Sequence, residues 1–260
     1  MRQQADAEKL LKSLGITDPK EIDLEAIALS CGAIVKERSL SGCEAQITGN
    51  KDKAIIVVNQ GSRLERRRFS IGHELGHWKY HRGQSFICRS SDIGNQEKNY
   101  SSLHPERVAD DYAAELLLPV YLFEPLVRKD SNPSLDAIRK LSDAFSTSFT
   151  ATALRYIKYS PKPSMLVCHA PDGRKWFRHG NKVPASFFPK SELDADSYAM
   201  EVLYQGKAQS QARIIKASAW FSMSGVGMFE LHEESMKIND GKILTLLSWR
   251  DKGMLEKYAA

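Results

Sequence analysis

Two histidines and a glutamate within five residues, His73-Glu74-Leu75-Gly76-His77, form the part of this 260-residue chain that can do chemistry by itself. On a helix, side chains four residues apart lie on one face, so both imidazoles would converge on one point with Glu74 beside them. Two neutral nitrogen donors, a third protein ligand and one open position suit a divalent ion at a catalytic rather than a structural site. Such an ion lowers the pKa of a bound water to about 7, and the glutamate can take that water's proton and hand it to a leaving amine. The reaction implied is hydrolysis of a peptide bond, with Glu74 as general base and His73 and His77 as metal ligands.

The third ligand should come from a second helix. Glu106 is the best candidate, in the run His104-Pro105-Glu106-Arg107-Val108-Ala109-Asp110-Asp111-Tyr112-Ala113-Ala114-Glu115-Leu116-Leu117-Leu118-Pro119. Pro105 suits the first position of a helix, alanines and leucines sustain it, and Pro119 stops it. Glu106, Asp110, Ala113 and Leu117 share one stripe, so Asp110 can accept a hydrogen bond from the distal N–H of a ligating histidine and fix its tautomer. Glu115, His104 and His81 compete for the third position. Glu115 lies off the stripe beside an apolar run, His104 precedes a proline in a loop, and His81 reads as a residue that caps or packs the end of its helix.

These residues resemble the ImmA/IrrE family of bacterial and phage metallo-endopeptidases. The likeness is carried by Arg67-Arg68-Phe69-Ser70-Ile71-Gly72-His73-Glu74-Leu75-Gly76-His77 and, after a loop, by Glu106 to Pro119, so it spans roughly the first 160 residues. The resemblance implies that His73, His77 and Glu106 bind one divalent ion, zinc with manganese as the alternative, and that Glu74 is the catalytic base. It also implies a helix-turn-helix transcriptional repressor as protein substrate, cut at one site to relieve repression of stress, phage or mobile-element genes. One departure is visible: the family commonly has Asn where this chain has Asp110.

The elements that must hold these groups can be read more coarsely. Short helices are expected at 7–11 and 23–28, strands at 33–37, 44–48 and 54–59, and a helix carrying the histidines, with the small sheet packed against it. Gly72 and Gly76 are poor helix formers; four apart on the same helix, they point to another backbone coming close. An edge strand of the sheet would accept an extended peptide by backbone pairing, and the polar stretch 82–103 reads as a substrate loop or lid. Apolar spacing from Leu135 to Ile157 predicts two packed helices. They have the outline of a helix-turn-helix, but the second carries few side chains suited to reading bases, so they are expected to buttress the peptidase.

After Pro161-Lys162-Pro163 the composition shifts toward strands, expected at 165–169, 175–179, 212–216, 228–238 and 243–249, with a helix near 195–204 and a hairpin turn at Asn239-Asp240-Gly241. The expectation is an α+β protein: a mainly helical zincin-like peptidase domain with a small β-sheet at 1–160, including the helix pair at about 133–158, then a smaller α+β regulatory or recognition domain at 161–260. His232-Glu233-Glu234 reads as polar surface of a strand. Net charge is +5, too weak to imply nucleic acid; the cluster Arg63, Arg66, Arg67 and Arg68 is expected to be a solvated face rather than a docking patch. Four cysteines without CxxC spacing give neither a zinc ribbon nor a disulfide framework. The first residues lack an apolar leader core and no stretch is suited to spanning a bilayer, so a cytoplasmic protein without membrane contact is expected. The alternative to a peptidase is a transcriptional regulator or protein-binding module whose metal site is structural or vestigial; Glu74 argues against it, since a structural site needs no base.

Overall fold

The computed structural model describes residues 2–82, 86–88, 101, 104–129, 132–250 and 252–258, the side chains of Arg2 and of 86–88 excepted. Most of the stretch read as a substrate loop, and the side chain of Cys88, lie outside the described residues. The chain forms two compact units, Met1–Phe123 with Ser142–Ser148, and Glu124–Leu141 with Phe149–Ala260.

The first unit opens with helices α1 (Arg2–Ser13) and α2 (Leu24–Ser30), the latter started by Asp23, whose carboxylate accepts from the Ala26 amide. Strands β1 (Ala33–Arg38), β2 (Ala45–Gly49) and β3 (Ala54–Asn59) follow, then helix α3 (Leu64–Tyr80), strand β4 (Phe86–Cys88) and helix α4 (Pro105–Leu117). The sheet runs β1-β3-β2-β4, with β1 and β3 parallel and the other pairs antiparallel. Ala45, Ile47, Ala54, Ile56 and Val58 are buried, while Ile34 and Ile55, paired in register on the opposite face, are exposed. That alternation is what a sheet with one covered face requires.

Every residue of α3 from Ser70 to Trp78 is buried. The helix packs against α4, α2, β2 and β3, so it shows no polar stripe facing solvent. Gly72 and Gly76 do mark a close approach: a Cβ on Gly76 would stand 2.7 Å from Ala109 Cα and 3.0 Å from its carbonyl oxygen, and one on Gly72 would stand 3.2 Å from Ala113 Cβ. Glycine on one helix and alanine on the other let the two backbones meet.

Helices α5 (Val120–Val127) and α6 (Leu135–Phe145) each contribute residues to both units, and α7 (Phe149–Tyr159) belongs to the second. In this division residues 124–141 and 149–160 group with the C-terminal part. The cause is visible in the contacts, because Glu234 accepts the Leu135 amide at 2.8 Å and α7 packs on the following strands. In α7 the residues Thr152, Ala153, Arg155, Tyr156 and Ile157 are buried, so one face of the helix packs within its unit.

The second unit is completed by β5 (Ser164–Ala170), β6 (Gly173–His179), α8 (Ala199–Tyr204), β7 (Arg213–Lys216), β8 (Glu230–Lys237), β9 (Ile243–Ser248) and α9 (Gly253–Lys257). Its sheet is antiparallel in the order β6-β5-β9-β8-β7. Trp220, Phe187, Phe221 and Trp249 fill the core on one face. The β8–β9 hairpin turns through Asp240 at φ 62° and Gly241 at φ 67°, the paired left-handed geometry that an Asp-Gly turn supplies.

One surface expectation is overturned here. Glu233 and Glu234 are buried, because β8 is an inner strand covered on both faces. Glu233 accepts from Trp220 Nε1 at 2.7 Å, Ser197 Oγ at 2.9 Å and the Ala199 amide at 2.6 Å, while Glu234 caps the start of α6. These carboxylates organise the core of the unit. Among the described residues, no helix is long and apolar enough to cross a membrane, and Cys31, Cys43 and Cys168 form no disulfide.

Candidate metal centre

α3 carries His73, Glu74 and His77 and α4 carries Glu106 and Asp110, and the close packing of the two helices brings these side chains together. His104 caps α4, its Nδ1 accepting the Glu106 amide at 3.3 Å. This fixes where the helix begins and puts Glu106 in its first turn.

The Nε2 atoms of His73 and His77 are 3.1 Å apart. Glu106 reaches both, with Oε2 3.2 Å from His73 Nε2 and Oε1 3.4 Å from His77 Nε2. Donors bound about 2.0–2.1 Å from a tetrahedral zinc would stand about 3.3 Å from one another, so the spacing fits a single small ion. Among the described residues these three form the group of histidine, cysteine and carboxylate side chains able to share an ion, with ligand atoms all within 4.8 Å. Glu115, though buried, and His104, occupied in capping, are not part of it.

The electrostatics favour a cation at this point. Burial works against charge on His73, but hydrogen bonds to Asp110 and Glu106, and the charge of Glu74, outweigh it and push its pKa up to about 9. His77 goes the other way, lowered by burial and by the neighbouring His73. Burial would raise the pKa of Glu106, yet its hydrogen bonds to the two histidines hold it well below the usual carboxylate range. Two carboxylates thus face two imidazoles in a shielded setting, and Glu74, itself fully buried, adds a third.

Asp110 Oδ1 lies 2.9 Å from His73 Nδ1. A hydrogen bond accepted there from Nδ1–H would leave Nε2 of the neutral ring free to hold an ion. His77 has a counterpart that the sequence reading missed: its Nδ1 is 3.2 Å from Nδ1 of His81. His81 does cap α3, but the four-residue step from His77 was a signal that it also shares the histidine face.

The arginines in the first turns of α3 are largely engaged within the unit. Arg66 lies 3.5 Å from Glu44, Arg67 pairs with Glu37 at 3.0 Å, and Arg68 donates to the Ile22 carbonyl at 3.0 Å. Their cluster is scaffolding for the entry to the metal helix.

Comparison with known proteins bears on the fold and the family. A search of the curated proteins found no similar sequence. A solved structure described as a Mycobacterium tuberculosis transcriptional regulator is similar in fold, with a TM-score of 0.58 at 12% identity, over 95% of this chain and 76% of that one. The model of the Peptidase_M78 family, described as the IrrE N-terminal-like domain, matches residues 35–156, a span that contains both helices of the centre. That match supports an ImmA/IrrE family metallopeptidase over this span.

Proposed function

We propose that the protein is a zinc-dependent endopeptidase in which His73, His77 and Glu106 hold the ion and Glu74 is the general base. The observation that carries this reading is the triangle of donor atoms at 3.1, 3.2 and 3.4 Å with a buried glutamate one residue from a donor. A bound ion would supply Lewis-acid polarisation of the scissile carbonyl and acidify water to a pKa of about 7. The protein's own groups do the rest. Glu74, held in a low-dielectric setting, accepts the proton of the attacking water and delivers it to the departing amine. Asp110 holds His73 in the tautomer that offers Nε2 to the ion. Manganese is the second candidate for the ion.

The substrate we propose is a helix-turn-helix repressor, cut at one site so that repression is lifted, with residues 161–260 governing when or what is cut. The family match supports a protein substrate, and the fold shared with a protein described as a transcriptional regulator is compatible with a place in gene control. Zinc-loaded protein incubated with the repressor encoded beside its gene should produce two fragments from one cut. Glu74→Gln should retain near-stoichiometric metal and lose cleavage. Cleavage at the parental rate by that variant would remove Glu74 from the mechanism, and a site that binds zinc without any cleavage of the repressor would favour the regulator reading with a structural metal.

A further inference from the structure

His77 differs from His73 in what stands behind it. The distal nitrogen of His73 meets a carboxylate, whereas the distal nitrogen of His77 meets another imidazole, Nδ1 to Nδ1 at 3.2 Å with ring centroids 5.3 Å apart. His81 is held there by the end of α3, where its amide donates to the His77 carbonyl at 2.8 Å. At this distance two facing ring nitrogens cannot both carry a hydrogen, and neither can both present lone pairs without repulsion; one donates and the other accepts.

The other nitrogen of His77 decides which. Nε2 points at Glu106 Oε1 and His73 Nε2, the place where its lone pair is wanted. A neutral imidazole with a free lone pair on Nε2 has its proton on Nδ1. The acceptor is then His81 Nδ1.

We propose that His81 is a positioning residue of the metal centre: by accepting the Nδ1–H of His77 it fixes the tautomer and ring angle that aim Nε2 at the ion. The proposal rests on the reading of His73, His77 and Glu106 as ligands. It gives the two ligating histidines partners of different chemistry, an anionic one in Asp110 and a neutral one in His81. The ring of His77 is aimed by geometry without the added negative charge that Asp110 brings to His73.

Two substitutions in the full-length protein separate this role from that of a helix cap. In His81→Asn the side-chain oxygen occupies the branch position of Nδ1 and can still accept; in His81→Phe a ring of similar bulk remains with no acceptor. Zinc affinity is measured by competition with a chromophoric chelator, unfolding temperature on the metal-stripped proteins, and the protonated nitrogen of His77 by long-range proton–nitrogen NMR of the zinc-loaded proteins. The Phe variant should bind zinc about 10- to 100-fold more weakly while the Asn variant stays within about threefold of the parent. The metal-stripped Asn and Phe variants should unfold alike, and Nδ1 of His77 should carry the proton in parent and Asn variant. Equal zinc affinity in all three proteins, or losses in both variants that follow a common drop in unfolding temperature, would overturn the positioning role. A parent that binds no zinc would remove the metal reading itself, and this proposal with it.

Discussion

At Asp110 a single oxygen would decide how firmly the proposed ligand His73 is held. Its Oδ1 is the partner of His73 Nδ1 at 2.9 Å, so Asp110→Ala should weaken zinc binding roughly 10- to 100-fold, the usual cost of losing a hydrogen bond behind a ligand. Asp110→Asn keeps an oxygen in the same place and should lose less than the alanine variant in the same competition titration; equal losses would mean that charge, not acceptance, is what His73 uses. His73→Ala, His77→Ala and Glu106→Ala each remove a donor of the triangle and should abolish stoichiometric metal. Full zinc occupancy in Glu106→Ala by elemental analysis would show that another group is the third ligand. That His73, His77, Glu106 and Asp110 come together was legible because their types and four-residue steps are those a metal centre would need. His81 was read only as a cap, since a terminal position accounts for a histidine well enough in a sequence; its second contact depends on a side-chain direction that spacing suggests but does not fix.

Between the two helices, distance is set by what is missing from Gly76. A methyl group there would fall 2.7 Å from Ala109 Cα and 3.0 Å from its oxygen, both backbone atoms that cannot move without moving α4. Helix propensity alone favours Gly76→Ala by about 1 kcal/mol, whereas forced overpacking costs about 1–3 kcal/mol and sometimes more. Gly76→Ala should therefore be destabilised in urea unfolding and bind zinc less tightly, because the helix that carries Glu106 must shift. Gly72→Ala, whose added carbon would meet Ala113 at 3.2 to 3.3 Å, should fall much closer to the parent. A Gly76→Ala protein as stable as the parent would mean that the helices are not held at this separation. The small-residue pattern made this contact readable in advance. The same sequence was less informative where an element is enclosed: α3 is buried from Ser70 to Trp78 and β8 is covered on both faces, so neither shows the polar side on which periodicity depends, and Glu233 and Glu234 were misread as surface. The helix expected at 195–204 forms only at Ala199–Tyr204, since Asp194 draws the preceding residues into a turn by accepting the Asp196 amide on its side chain and the Ser197 amide on its carbonyl.

For the whole chain, the two units bring separate liabilities. His169 in β5 is almost fully buried against Trp220, and burial, with a further push from the charge of Arg174, lowers its pKa to about 4. The unfolded chain takes up this proton near pH 6.5 and the folded unit only near 4, so stability should fall as pH drops through that window, by about 3 kcal/mol at most. Trp176, Trp220 and Trp249 report on this unit by fluorescence; in unfolding followed that way, His169→Phe should flatten the pH dependence by about one proton between pH 6.5 and 4, and an unchanged slope would place the titration elsewhere. The larger liability is the crossing of the chain between units, at 123/124, 141/142 and 148/149; Pro161-Lys162-Pro163 carries no signal of it, because proline marks a break in secondary structure and not a break in packing. A chain ending at Ser160 keeps α3 and α4 but deprives α7 of the strands β5 and β6 on which it packs, and the Leu135 amide of its Glu234 acceptor. Such a chain should still bind one zinc, as both helices of the centre remain. Its α6 and α7 amides should lose protection from hydrogen exchange, and its exposed apolar helix faces should promote self-association. Slow exchange in α6 and α7 of a monomeric truncated protein would place those helices with the peptidase domain and the boundary at residue 160.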